Sequence, residues 1–354
     1  MTCCVNAVFS CFKYLERATD RLTGAAGPVF ITLALGLLGA GLATFFNVIQ
    51  PDLPWITLPI CILIATNLMA NYYYVCTIPP GFSDDAYPPI RATPTKSIFW
   101  ARPRHSSSRP RHFETDDELH SPHDERHEHQ WAHCLEGISE ASKTRCLKCG
   151  ATKPERTHHC RVCKRCVLKY DHHCPVLLII GEGINQCVGL YNERYFVLFM
   201  AYLVLGTFFY VTLGYQKIRQ AFDLFYDWPH SMPAAVFVLF YILSVVLFLA
   251  VGVMLTWHLR AAMKGETSVE GHDHDVYKKL AKQRGETFVN SYDLGWRRNL
   301  ELFFNVGPTG YPKWTLLLPL KTTPYTDGFA WIRRPGYMSH GGIREGEELT
   351  DEDD

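Results

Sequence analysis

Four stretches of this chain, residues 28–49, 54–78, 195–215 and 233–258, are long and apolar, and the first two carry no charged side chain. A bilayer core of roughly 30 Å is crossed by about 20 helical residues, and each stretch reaches that length. Buried helices of soluble proteins seldom run so far without a charge. The pattern predicts an all-α polytopic membrane protein with four transmembrane helices and a small domain between the second and third. A cleaved signal peptide fits the first stretch poorly: it begins late, lacks a clear small-residue cleavage site, and a second span follows within a few residues. A transporter or channel would place ionisable residues inside its spans, and these four stretches are nearly free of them.

The chain has 35 Lys plus Arg against 35 Asp plus Glu, a balance that argues against a nucleic-acid partner. Locally the charges are uneven. Lys and Arg concentrate in residues 79–193 and after Arg260, whereas the link 50–53 has neither. Lys217 and Arg219 in the other link are offset by Asp223 and Asp227. The positive-inside rule then puts both termini and the long middle segment in the cytosol.

The domain map follows. Residues 1–27 are a cytosolic lead whose Cys3, Cys4 and Cys11 are either lipid-modified or ordinary thiols. Residues 28–78 are helices 1 and 2. Residues 79–140 form a disordered His/Pro/Ser-rich linker, and the irregular spacing of His105, His112, His120, His123, His127 and His129 reads as a solvated tract rather than a metal site. Residues 141–192 hold a Cys/His cluster, and 193–258 are helices 3 and 4. Residues 259–354 are a cytosolic tail. Its residues 289–307 are apolar enough to pack on the membrane face, and its end, 345–354, is acidic.

Seven of the thirteen cysteines fall between Cys146 and Cys187. Clustered cytosolic thiols with interleaved histidines favour metal over disulfides. The spacing is Cys146-x2-Cys149, Lys153-Pro154-x-Arg156, His158-His159-Cys160-x2-Cys163-x2-Cys166, Asp171-His172-His173-Cys174, then Cys187. Zinc takes four tetrahedral thiolate or imidazole ligands, two from each Cys-x2-Cys turn. Two closed sites need eight ligands. Six Cys and two His would fill them and leave one thiol as a candidate nucleophile, although spacing alone does not say which. The run 171–174 sets a thiol, a base and a carboxylate side by side.

This string resembles the cysteine-rich domain of the DHHC protein S-acyltransferases (palmitoyltransferases). The match continues through Asn185-Gln186-Cys187-Val188-Gly189, Asn192 and Phe196, and covers most of residues 28–306. The resemblance implies two structural Zn2+ ions, one held by Cys146, Cys149, His159 and Cys166, the other by Cys160, Cys163, His173 and Cys187. Cys174 stays unligated. It implies that His172 takes the Cys174 proton while Asp171 orients His172, so that Cys174 attacks a fatty acyl-CoA, palmitoyl-CoA above all. The acyl-enzyme thioester then passes its acyl group to cytosolic cysteines of membrane-associated proteins. The acyl chain would lie between the spans, and Lys143, Arg145, Arg161, Lys164, Arg165 and Lys169 either attract CoA phosphates or merely form a positive-inside flank. The endomembrane system, endoplasmic reticulum or Golgi, is the expected location. Two looser matches are Thr267-Ser268-Val269-Glu270, with Ser where the family has Thr, and Asn290-x-Tyr292-x2-Gly295 with Asn299 and Phe304, to which the family assigns a structural role.

One departure is large. The family reads Cys-Pro-Trp, an apolar residue, then Asn-x-Cys after the nucleophile. Here residues 176–183 (VLLIIGEG) stand in place of the Trp. The insertion lies between Cys174 and Cys187, so it either loops out or displaces the thiol or the second metal set. It is the sole support for a second reading, a catalytically impaired form or membrane-anchored zinc scaffold. A retained short intron or splice variant is one origin for it, which the transcript sequence decides.

Overall fold

The apolar stretches form helices in the structure, a computed structural model that describes residues 27–85, 101, 137–178, 185–223, 225 and 227–344. The N-terminal lead with its three cysteines, most of the 79–140 linker with its histidines, residues 179–183 of the insertion with Ile184 after it, and the acidic end lie outside the described residues. Helix α1 is Gly27–Thr44, prolonged by a π-helical turn Phe45–Ile49, and α2 is Leu58–Thr77. Then come α3 (Glu193–Leu213), α4 (Tyr215–Ala221), α5 (Ala234–Lys264), α6 (Ser268–Gln283) and α7 (Trp296–Phe303). Among the described residues, four segments are long and apolar enough to cross a membrane: Ile31–Asp52, Trp55–Thr77, Glu193–Leu213 and Ala234–Lys264. Their outer faces expose Leu33, Ile60, Leu239, Ile242 and Val253, surface that hydrocarbon rather than water would cover. Inside, α3 packs on both α2 and α5. The Tyr210 ring stacks on Phe237 at 5.7 Å, and its hydroxyl donates to Thr44 Oγ1 at 2.9 Å, tying α1, α3 and α5 together.

Helix α5 outruns its apolar stretch. It continues through Arg260 to Lys264 and stops where Gly265 takes φ 70°, a left-handed C′ position that suits glycine. His258 therefore lies within a helical turn, and not at a span's end.

The all-α expectation needs correction. The molecule is mostly helical, but the described residues also form four two-stranded antiparallel sheets. Strand β1 (Ile138–Glu140) pairs with β8 (Ala330–Ile332), β2 (Lys143–Arg145) with β3 (Thr152–Pro154), β4 (His158–Cys160) with β5 (Arg165–Val167), and β6 (His172–Leu178) with β7 (Asn185–Val188). The Cys-x2-Cys turns are the reason for two of these hairpins. Gly150 N donates to Cys146 O at 2.8 Å and Lys164 N to Cys160 O at 2.7 Å. The residue after each second Cys has positive φ, 74° at Gly150 and 55° at Lys164. So tight a reversal sets the flanking residues antiparallel, in strands too short to show a period in sequence.

After α7 the chain runs back along α2 and α3 without an α-helix. Its backbone carbonyls lack helical partners and need donors from elsewhere. Transmembrane side chains supply them. Arg194 donates to Thr315 O (2.9 Å), Tyr202 to Leu316 O (2.8 Å), Asn67 to Leu317 O (2.9 Å), Tyr74 to Pro319 O (2.9 Å) and Tyr195 to Thr322 O (3.1 Å).

Candidate active site and metal centres

The hairpins gather the Cys/His cluster into two sets. Cys146, Cys149, His159 and Cys166 form one, and Cys160, Cys163, His173 and Cys187 the other. In each, the potential ligand atoms lie within 4.8 Å of one another. In the first set Cys149 and Cys166 sulfurs are 3.6 Å apart, and His159 Nδ1 is 3.6 Å from Cys146 Sγ and 3.9 Å from Cys166 Sγ. In the second, His173 Nδ1 lies 3.6, 3.6 and 3.4 Å from the sulfurs of Cys160, Cys163 and Cys187, and the Cys163–Cys187 separation is 3.3 Å. Tetrahedral zinc, with bonds of about 2.3 Å to sulfur and about 2.0–2.1 Å to nitrogen, implies edges of about 3.8 and about 3.6 Å. Both donor sets fit that cage. The cysteines among the described residues form no disulfide.

The insertion is accommodated without disturbing the second set. Strands β6 and β7 keep His172 opposite Val188, His173 opposite Cys187 and Cys174 opposite Gln186, and the register shifts only between Cys174 and Leu178. Two polar side chains hold β7 to the end of α2. Gln186 donates to Val75 O at 3.0 Å and also to Ile78 O, and Asn192 donates to Ile78 O (3.2 Å) and Cys187 O (2.9 Å). The described strands thus keep His173 and Cys187 paired on both sides of the insertion.

Cys174 belongs to neither metal set and is buried. Beside it, His172 Nδ1 and Asp171 Oδ2 are 2.6 Å apart, and Asp171 Oδ1 accepts from the Ser268 amide at 2.7 Å. Burial by itself would raise the Asp171 carboxyl. The hydrogen bond and charge of His172, with help from the Ser268 amide, outweigh it and hold the group at about 2. Burial would lower His172, but Asp171 and the nearby Cys174 sulfur bring it up to about 9. Its other nitrogen, Nε2, is buried.

Sequence reasoning missed His258. Its Nδ1 is 3.6 Å from Asp171 Oδ2, and its ring packs against His172 and Phe196. A single histidine near the end of an apolar run carries no spacing signal, and only the extra turns of α5 reveal where it points.

The Thr267–Glu270 match has a precise structural meaning. It is a capping box: Glu270 N donates to Thr267 Oγ1 (3.3 Å) and Thr267 N to Glu270 Oε2 (2.9 Å). It opens α6, whose first amide, that of Ser268, holds Asp171. A backbone group makes this contact, so Ser in place of Thr leaves it intact. Glu270 also takes a bidentate pair from Arg156 at 2.6 and 2.7 Å, and the guanidinium lies over the rings of Tyr292 (4.4 Å) and Trp331 (4.8 Å). Asn299 donates to Met263 O at 2.7 Å, and Asn290 to Lys264 O at 3.0 Å, both seating the tail on the end of α5.

Several of the six basic residues proposed to face CoA are engaged within the protein: Arg145 donates to Gly150 O at 3.0 Å, and Lys143 lies over the Phe329 ring at 5.8 Å. Lys169 is buried against Glu193 at 2.5 Å, and Arg165 pairs with Asp84 and Asp85, each at 2.6 Å. Between the spans lies an apolar cavity of about 180 Å³, lined by Leu38, Gly41, Phe45, Leu68, Tyr210 and Phe240 among others. Tyr72, one helical turn from Leu68 on α2, lies in the same buried cluster as Cys174.

A model of the DHHC palmitoyltransferase domain matches residues 139–275. The chain is 33% identical over 195 residues to probable protein S-acyltransferase 15 of Arabidopsis thaliana, covering 54% of this chain and 71% of that protein. It is 33% identical over 207 residues to palmitoyltransferase ZDHHC16 of Mus musculus, 55% of each chain. With palmitoyltransferase ZDHHC16A of Danio rerio it shares 28% over 231 residues, 52% of this chain and 58% of the relative. The chain thus spans a little over half the length of these two vertebrate relatives.

Proposed function

Because the chain belongs to the DHHC palmitoyltransferase family, we propose that it is a protein S-acyltransferase that carries palmitoyl from palmitoyl-CoA to protein cysteines. The observation that carries this reading is a buried thiol outside both metal sets, close to a histidine whose Nδ1 is held by a buried carboxylate.

In the first half-reaction His172 Nε2 takes the Cys174 proton. The thiolate forms a bond to the thioester carbonyl carbon, the bond to CoA sulfur breaks, and the departing CoA thiolate receives the proton from His172. Asp171 keeps His172 in the tautomer with Nδ1–H and stabilises its charged form. In the second half-reaction a substrate thiol gives its proton to His172 and attacks the Cys174 thioester. Cys174 leaves as thiolate and is reprotonated. Zinc in the two Cys/His sets would be structural, supplying folding energy through closed tetrahedral coordination. Those eight residues, by this reading, hold the hairpins that carry Asp171, His172 and Cys174.

The acyl chain is assigned to the apolar cavity, where burial contributes roughly 0.8 kcal/mol per CH₂. The CoA head group and the acceptor proteins lie on the cytosolic side, as do both termini, in the endoplasmic reticulum or Golgi membrane. The preserved register across β6 and β7 favours this reading over a zinc scaffold without catalysis. The test is acyl transfer from labelled palmitoyl-CoA to a cysteine peptide by the full chain in lipid nanodiscs. Hydroxylamine-sensitive label on the peptide is expected. A folded protein with two zinc ions per chain and no transfer would favour the scaffold.

A further inference from the structure

We propose that His258 is a positioning residue for the acyl-transfer base, a proposal that rests on the reading of Asp171, His172 and Cys174 given above. An ionisable side chain on a membrane-spanning helix is costly unless it faces a polar partner. His258 lies on α5, the helix of the fourth candidate span, with a side chain only 11% exposed. The partner it faces is Asp171. Its Nδ1 stands 3.6 Å from Oδ2, the same oxygen that lies 2.6 Å from His172 Nδ1.

The rings around that oxygen form a closed triangle. His258 meets Phe196 edge-on, with centroids 5.3 Å apart and planes at 81°. It lies 5.6 Å from His172 at 44°, and Phe196 meets His172 at 5.1 Å and 62°. The base is thereby held from four elements. Strand β6 carries His172, α3 contributes Phe196, α6 fixes Asp171 Oδ1 through the Ser268 amide, and α5 contributes His258.

Two consequences follow for the reaction. With its proton on Nδ1, His258 directs a positive dipole at Asp171 Oδ2 and helps hold the carboxylate in place. Its ring also closes one side of the His172 pocket. Without it His172 could swing, lengthening its bond to Asp171 and carrying Nε2 away from Cys174. A shift of about 1 Å in a reacting group can cost about 10²-fold in rate. His258 touches neither thiol nor substrate in this scheme and acts through Asp171 and His172.

Single-turnover acyl-enzyme formation tests this, using the full chain in nanodiscs with palmitoyl-CoA. Three proteins are compared: wild type, His258→Leu, which keeps bulk without a donor, and His258→Asn, whose amide nitrogen occupies the place of Nδ1. The Leu variant should form acyl-enzyme about 10- to 100-fold more slowly, with KM for palmitoyl-CoA unchanged within about twofold. The Asn variant should recover to within about threefold of wild type, and all three should keep equal zinc content. A Leu variant at wild-type rate would overturn the proposal. So would equal losses in both variants accompanied by loss of zinc, which would make His258 a packing residue only. A wild-type protein that forms no acyl-enzyme would instead overturn the functional reading, and this proposal with it.

Discussion

Replacing Arg156 with Met removes the guanidinium from Glu270 and leaves a carboxylate buried without its counter-charge. Burial alone would raise the Glu270 carboxyl. The charge and bidentate hydrogen bonds of Arg156, aided by His274 and the Thr267 amide, hold it at about 2 against an ordinary 4.5. At 1.36 kcal/mol per pH unit that difference is about 3 kcal/mol, close to the roughly 3–5 kcal/mol lost when one partner of a buried pair is removed. Because the folded value lies below the unfolded one, this stabilisation is present above about pH 5 and fades as pH falls from about 4.5 toward 2. Thermal unfolding of Arg156→Met in nanodiscs should show a midpoint about 4 °C lower at pH 7, with the deficit shrinking in acid. The acylation rate should fall too, since Glu270 caps the helix whose Ser268 amide holds Asp171. An Arg156→Met/Glu270→Met double variant should recover much of the loss, because two apolar side chains leave no orphan charge. The reasoning would be refuted by a deficit under about 1 kcal/mol at pH 7, or by a double variant less stable than either single one.

Three further outcomes are expected. Asp171→Asn should slow acyl-enzyme formation by about 10²- to 10⁴-fold while metal analysis still finds the wild-type zinc content. A Cβ at Gly41 would meet only Phe240, at 3.6 Å, so Gly41→Leu projects into the cavity. Competition between acyl-CoAs of graded length should then shift toward shorter chains, by about fourfold for each methylene no longer buried. Replacing residues 176–183 with a single Trp should leave zinc content equal to that of the unaltered chain, because the strand register is already kept at His173 and Cys187. A rise in zinc on shortening would mean that the insertion displaces a ligand.

Much of the site was legible because metal ligation and thiol chemistry demand particular residue types at fixed spacing. The Cys-x2-Cys turns and the 171–174 run announce themselves, and the structure brings each expected four-residue set together. The spans were legible in length and polarity, since hydrocarbon imposes both. What escaped lies where backbone or tertiary geometry decides. The amide of Ser268 has no residue signature, and so its hold on Asp171 could not be read from Thr267–Glu270. His258 looked like the end of an apolar span, yet α5 continues to Lys264 and turns His258 toward Asp171. Lys169 looked available to a phosphate, and its pairing with Glu193, 24 residues on, needs the fold to be seen. The strands were invisible for a simpler reason: most are three residues long.

The central claim is that Cys174, outside both metal sets, becomes the acyl carrier. Its most direct measurement is peptide mapping by mass spectrometry after brief incubation of the full chain with palmitoyl-CoA at neutral pH. The account predicts one palmitoyl group on the peptide containing Cys174, removable by hydroxylamine, and no such group in Cys174→Ser. A folded, zinc-loaded protein in which Cys174 stays unmodified, or in which the label persists unchanged in Cys174→Ser, would contradict it.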